Sequence, residues 1–360
     1  MTGVFVSDCE GPISKNDNAY ELTAHFVPDG DKLFSIISRY DDVLADVTKK
    51  PGYNAGDTLK LILPFLKAYD VTDKQMQEFS AQTLLLIAGT KETLKHILNM
   101  SEAFIVSTSY EHYIRALCSF VGFPFKNTYC TRLNIDKYGL ATEEKTKLKG
   151  LAREIASMQM MAIPPHAESL NGFSEKDKET IRRLDEIFWK EIPNMSFAKL
   201  FSEVTTIGGE QKAQAIRDIA KKLKVPLSSI MYVGDSITDV QAFQLVRENG
   251  GLTVSFNGNN YAVKNAETSV LSENNLVTAV LADVFLKHGK AQAIKLAENW
   301  NPESLKQSQG DAILLNRLFE VFPKALPNVH IVTPKNMESL IKDSSTFRKK
   351  VRGEAVGRLG

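Results

Sequence analysis

Val4-Phe5-Val6-Ser7-Asp8-Cys9-Glu10-Gly11-Pro12 opens as a short apolar run and closes at Gly-Pro. Val4 to Val6 is β-prone, and Gly-Pro stops a strand. Asp8 and Glu10 sit where that strand gives out. In extended backbone, residues two apart point the same way, so both acids face one site and Cys9 faces away. Two buried acids repel unless a cation or a proton lies between them. A hard divalent metal with oxygen ligands meets that need. The chemical reading is an attacking carboxylate beside an acid/base, at the C-terminal end of a parallel strand. The plain reading is a strand-end turn with two solvated acids, and the stretch alone favours it.

The chain of 360 residues has room for one large domain with additions, or for two. Its net charge of +1 gives no reason to expect nucleic acid. Apolar runs such as Leu61 to Leu66 are too short for membrane insertion. The three cysteines are far apart and the six histidines scattered, so neither a disulfide framework nor a zinc site is suggested. The start of the chain has no signal-peptide layout, and a cytoplasmic protein is expected.

Outward from the opening strand, residues 13–98 read as almost wholly helical. Apolar residues recur at helical period from Asp31 to Val47, and Thr58–Tyr69, Thr72–Ile87 and Thr90–Met100 follow. Ala103 to Val106 is a second buried strand, running into Ser107-Thr108-Ser109-Tyr110 and then a helix from Glu111 to Val121. A hydroxyl before a helix N-terminus can hold an anion or simply cap the helix. Helical patterns return through residues 135–202, clearest at Thr142–Met161 and Ser174–Trp189. Val204 to Ile207 reads as strand-like, and Gly208-Gly209-Glu210-Gln211-Lys212 opens a helix that runs to Leu223. Lysine in a first helical turn opposes the helix dipole, which suggests another task for Lys212. Ile230 to Val233 is a third buried strand, ending in Gly234-Asp235-Ser236-Ile237-Thr238-Asp239. Strands follow at Gly251–Phe256 and Thr268–Leu271, and the rest is mostly helical with a basic end expected to be mobile.

Each strand end has an ordinary explanation, but the ordered set of Asp8/Glu10, Ser107, Lys212 and Asp235/Asp239 resembles the haloacid dehalogenase superfamily of aspartate-nucleophile phosphatases. The opening D-C-E-G-P, the strand ending in Ser107, Lys212 and the G-D-S-I-T-D run are similar to its four motifs, the last being the most specific. Glu10 stands where Asp is usual, as in enolase-phosphatases, and Pro12 replaces a hydroxyl residue. The insertion after the first motif resembles the cap of phosphoserine-phosphatase-like members, although Thr238 stands where those carry Asn. The D-C-E-G-P opening is also similar to uncharacterised members from methanogenic archaea.

The resemblance implies a doubly wound, mostly parallel α/β core from 1–12, 99–134 and 203–285. Residues 13–98 then read as a helical cap, 135–202 as a second helical insertion, and 286–360, which the resemblance does not reach, as a mostly helical C-terminal extension. The resemblance implies an Mg2+-dependent phosphatase acting on a small phosphorylated substrate through an aspartyl-phosphate. Asp8 would attack and Glu10 act as acid/base. Ser107 and Lys212 would hold phosphoryl oxygens, with Gly11 and Thr108 beside the substrate. Asp8, the Glu10 carbonyl, Asp235 and Asp239 would hold the metal. Arg39, the only arginine in the first 114 residues, lies on a cap helix and is the candidate reader of a further anionic group. The alternative is a catalytically idle subunit or scaffold, with the C-terminal extension binding a protein partner.

Overall fold

Val4–Ser7 forms β1 at the middle of the sheet in a computed structural model, which describes residues 3–165, 167–357 and 359. Six more strands join it: β2 (Ala103–Tyr110), β3 (Thr128–Thr131), β4 (Ile230–Gly234), β5 (Leu252–Phe256), β6 (Thr268–Leu271) and β7 (Asn328–Ile331). Their order is β3-β2-β1-β4-β5-β6-β7, parallel throughout except for the β6–β7 pair. The chain therefore leaves β1 in one direction through β2 and β3, and in the other through β4 to β7. That reversal beside β1 is where doubly wound folds keep their crevice.

Period-two alternation sorts the strand residues onto two covered faces. Val4, Val6, Phe104, Val106, Ile230 and Tyr232 pack against the helices Glu210–Leu223 and Val240–Glu248. Phe5, Ile105, Met231, Val233 and Val254 pack on the other side, against Glu111–Val121 and Leu276–His288. The helix Thr90–Met100 joins this second face through Leu94 and Ile97, so it belongs to the packing of the sheet rather than of the cap.

The two inserted regions share one apolar cluster. Tyr40 of the first stacks on Phe188 of the second with ring centroids 5.9 Å apart, and Phe65 meets Phe188 edge-on. The Tyr40 hydroxyl donates to Asp185 and accepts from Trp189 Nε1 at 2.8 Å. Among the described residues no helix is long and apolar enough to cross a membrane.

Three expectations need correction, and two strands were not anticipated. Val204–Ile207 is not a strand, because side chains take its backbone groups. Thr108 Oγ1 donates to the Ile207 carbonyl at 3.0 Å, and the Ile207 amide donates to Thr131 Oγ1 at 3.2 Å. The helix expected over Thr72–Ile87 runs only from Asp73 to Gln82. Beyond it the chain bonds to the loop leaving β1: Lys15 N to Leu85 O at 2.8 Å and Ile87 N to Ile13 O at 3.0 Å. The short edge strands β3 and β7 had no clear apolar signature. Finally, the basic C-terminal end is docked: the helix Met337–Arg352 buries Leu340, Ser344, Arg348 and Val351, and Ser344 Oγ donates to the Gly258 carbonyl at 2.6 Å.

Phe188 has no solvent exposure and joins the two inserted regions. Phe188→Ala should destabilise the protein by about 3–5 kcal/mol, read as a lower urea midpoint. A change within error would mean that the two regions do not share a stabilising core.

Candidate active site

Asp8 leaves β1 with its amide still on the sheet, donating to the Val233 carbonyl at 2.8 Å. Its Oδ1 accepts from the Cys9 amide at 2.6 Å, and its Oδ2 accepts from Lys212 Nζ at 2.6 Å. Lys212 is 0 % exposed and makes a second bond of 2.6 Å to Asp239 Oδ1. Asp239 Oδ1 also accepts from the Tyr232 hydroxyl at 2.6 Å, and Oδ2 accepts from the Asp235 and Ser236 amides at 2.8 and 3.0 Å. Both oxygens of Asp239 are thus satisfied. A buried ammonium persists only when paired, which accounts for lysine in the first turn of the helix Glu210–Leu223.

Burial pulls the Lys212 ammonium down, but Asp239 and Asp8 more than reverse this and hold it charged. Burial pushes the Asp8 carboxyl up to about 7, with Lys212 opposing and Asp239 and Asp235 adding to the rise.

Glu10 faces the same cavity as Asp8. Its Oε1 accepts from the Asn18 amide at 2.6 Å, at the start of the helix Asn18–Phe26. Burial and the nearby Asp17 raise its carboxyl well above the ordinary value, against the Asn18 amide and Arg352. Ser107 and Thr108, near the end of β2, line the cavity too. Ser107 Oγ donates to Ser109 Oγ at 3.0 Å and accepts from the Ser109 amide at 3.2 Å. Gly11 has φ +107°, and a Cβ there would overlap the Asp235 carboxylate. Only glycine lets the loop after β1 pass this close to the loop after β4.

Carboxylate oxygens of Asp8, Asp235 and Asp239 lie within 4.8 Å of one another and are buried. Converging hard oxygen donors of this kind suit Mg2+. Because Asp239 is already satisfied, Asp8 and Asp235 are the pair with capacity for a cation, and Asp239 stands behind them.

Arg39 is not brought to this cavity. The cap helix Gly30–Asp42 turns Phe34, Ser38, Asp41 and Asp42 toward it, at helical spacing. Residue 39 lies about 100° round the helix from Ser38. It pairs with Asp42 at 3.2 Å and faces an outer cleft.

Sequence reasoning missed the cations that do line the cavity. Arg348 and Arg352 of the C-terminal helix both bond through Nη1 to Asp235 Oδ2, Arg352 at 3.1 Å. Asp17, which caps the helix Asn18–Phe26 by accepting from the Tyr20 amide at 3.0 Å, was also missed. Its only local sign was an acid one residue before a helix. The arginines offered none, since their spacing suits any basic helix.

Removing Lys212 would leave Asp8 and Asp239 as unpaired buried carboxylates. Lys212→Met should therefore cost about 3–5 kcal/mol of stability, measurable by urea unfolding at neutral pH. Stability equal to the parent's would mean that the lysine is not needed to balance the acids.

Comparison with known proteins follows from this geometry. Residues 86–283, more than half of the chain, match the family described as haloacid dehalogenase-like hydrolase. No curated protein matches the sequence. Among solved structures, a gene product of Archaeoglobus fulgidus is 24% identical, with all of this chain and 99% of that one covered at a TM-score of 0.81. That likeness is one of fold. An apo phosphoserine phosphatase is 14% identical over 81% of this chain and 100% of its own, at a TM-score of only 0.43. With the matched stretch spanning β2 to β6 and more than half of the chain, the chain belongs to the haloacid dehalogenase-like hydrolases.

Proposed function

We propose that the protein is an Mg2+-dependent phosphatase that hydrolyses a small phosphorylated metabolite through an aspartyl-phosphate. The observation carrying this reading is that Asp8, held from behind by the buried Lys212–Asp239 pair, opens onto a cavity that Glu10, Ser107 and Asp235 also line. The cavity is only about 100 Å³, in keeping with a small substrate.

Asp8, as the carboxylate, attacks phosphorus, and the bond from phosphorus to the ester oxygen breaks. Glu10 enters this step protonated, as its burial favours, and gives its proton to the departing oxygen. As a carboxylate it then takes a proton from a water molecule, which attacks phosphorus and releases Asp8 and inorganic phosphate. The Ser107 hydroxyl would offset charge on the phosphoryl oxygens, and Lys212, buried behind Asp8 and not among the cavity's lining residues, would offset charge on Asp8 itself. Lys212 also holds Asp8 in place, and Asp239 holds Lys212. Asp8, Asp235 and the Glu10 carbonyl would hold Mg2+, which when bound would supply positive charge against carboxylate and phosphate.

A phosphate-release screen over phosphorylated metabolites, with and without Mg2+, tests the whole reading. Release should require the metal and cease on chelation, and absence of release across a broad panel would count against it. Asp8→Asn, nearly isosteric but unable to attack, should abolish turnover while leaving the fold intact. Wild-type release by that variant would remove Asp8 as nucleophile. Glu10→Gln should slow turnover about 100- to 10,000-fold and leave phosphate on Asp8, detectable by intact mass. Equal hydrolysis of the intermediate in parent and variant would exclude Glu10 as the base.

A further inference from the structure

The two arginines on Asp235 are not equivalent. Arg352 is tied to the loop leaving β1, donating from Nε to the Lys15 carbonyl at 3.0 Å and from Nη2 to the Asn16 carbonyl. It anchors the C-terminal helix to that loop. Arg348 instead donates to Asp235 twice, to the carboxylate and, at 3.2 Å, to the backbone carbonyl, with a weaker bond to the Leu359 carbonyl at 3.3 Å. It is 3 % exposed, and its buried Nε has no hydrogen-bond partner among the described residues. It is thus a buried cation with donor capacity left over, facing the cavity that holds Asp8.

Among the described residues, three carboxylates and three cations form the ion pairs of Lys212 and Asp235. Asp8 and Asp239 share Lys212, and Asp235 takes Arg348 and Arg352. Within these pairs the charges match with no metal, while Glu10 and Asp17 add two more carboxyl groups to the same cavity. A divalent cation on Asp8 and Asp235 would add two positive charges to groups that burial keeps close together. It would also compete with Arg348 for the same carboxylate. A guanidinium cannot shed its proton, so Arg348 displaced from Asp235 needs another anion. The phosphoryl group of a substrate carries about two negative charges, which restores the balance, and its oxygens match the guanidinium fork.

We propose that Arg348 is a substrate-binding residue. It holds Asp235 while the site lacks metal and passes to the anionic oxygens of the substrate when a divalent cation takes Asp235. This rests on the phosphatase reading and adds that metal and phosphate bind as a pair, each weakly alone. The C-terminal helix, and not the cap, then supplies the arginine that reads the anion.

The test is calorimetric titration of Mg2+ into the full-length protein, with and without saturating orthophosphate, for the parent, Arg348→Gln and Arg348→Lys. In the parent, phosphate should tighten Mg2+ binding about tenfold or more, within the usual range of coupling between sites. Arg348→Gln should bind Mg2+ alone more tightly than the parent, because the competitor is gone, and should lose most of the gain from phosphate. Arg348→Lys, with the charge but not the fork, should fall between. An Arg348→Gln variant that binds Mg2+ alone more weakly would overturn the proposal and make Arg348 a positioning residue for Asp235. Absence of coupling in the parent would overturn it without recourse to any variant, as would absence of Mg2+ binding under both conditions. Turnover distinguishes the two levels. Ester hydrolysis by a parent protein without coupling removes the role of Arg348 and leaves the phosphatase standing. Coupling without hydrolysis supports the role of Arg348 and removes the phosphatase.

Discussion

A lysine without solvent exposure, bonded at 2.6 Å to each of two buried aspartates, governs the C-terminal end of this sheet. Neither the ammonium nor the carboxylates would tolerate that environment alone. Together they lock three separate parts of the chain: the end of β1, the first turn of the helix Glu210–Leu223, and the loop after β4. Asp239 extends the lock by accepting the Asp235 and Ser236 amides and the Tyr232 hydroxyl. The position of Asp235, and therefore the spacing of the carboxylate group as a whole, follows from this one bridge.

The close approach of the loops around the bridge depends on small residues. Gly11 allows the loop after β1 to lie against Asp235, and a Cβ on Gly208 would collide with the Ala55 carbonyl. The first contact joins two loops of the core. The second brings the loop before Thr58–Ala68 down onto the turn that presents Lys212. From there Thr58 and Leu59 reach the cavity, alongside Phe34 and Ser38 of the neighbouring helix. The shared apolar cluster of the two inserted regions makes this cover one body, with Phe188 packed between Tyr40 and Phe65. Closure and charge balance therefore act at the same place: the cover excludes water from acids whose pairing depends on Lys212 and on cations arriving from elsewhere.

Those cations come from the end of the chain. β7 pairs antiparallel with β6 at the sheet edge, and the helix that follows runs back across the strand ends. Its buried face carries Leu340, Ser344, Arg348 and Val351, so a single face supplies both packing and charge. The segment that looked like an appendage is part of the wall of the cavity.

Much of this was legible in the sequence because the information was local. Short apolar runs ending in Asp8, Ser107 and Asp235 marked the central strands, since a buried parallel strand must be apolar along its length. Thr90–Met100, Glu111–Val121 and Thr268–Leu271 fall where periodicity placed them. The odd position of Lys212 against its helix dipole hinted at the bridge. What only the tertiary structure decided depends on partners distant along the chain. Arg39 and Arg348 are both arginines on amphipathic helices, and sequence alone favoured the first. Rotation about one helix axis turns Arg39 to Asp42 and an outer cleft, whereas docking of the helix Met337–Arg352 carries Arg348 to Asp235, 113 residues away. The end of the helix at Gln82 and the absent strand at Val204–Ile207 have the same origin. In both places backbone groups bond to segments that no local pattern names, and those long-range bonds override local propensity.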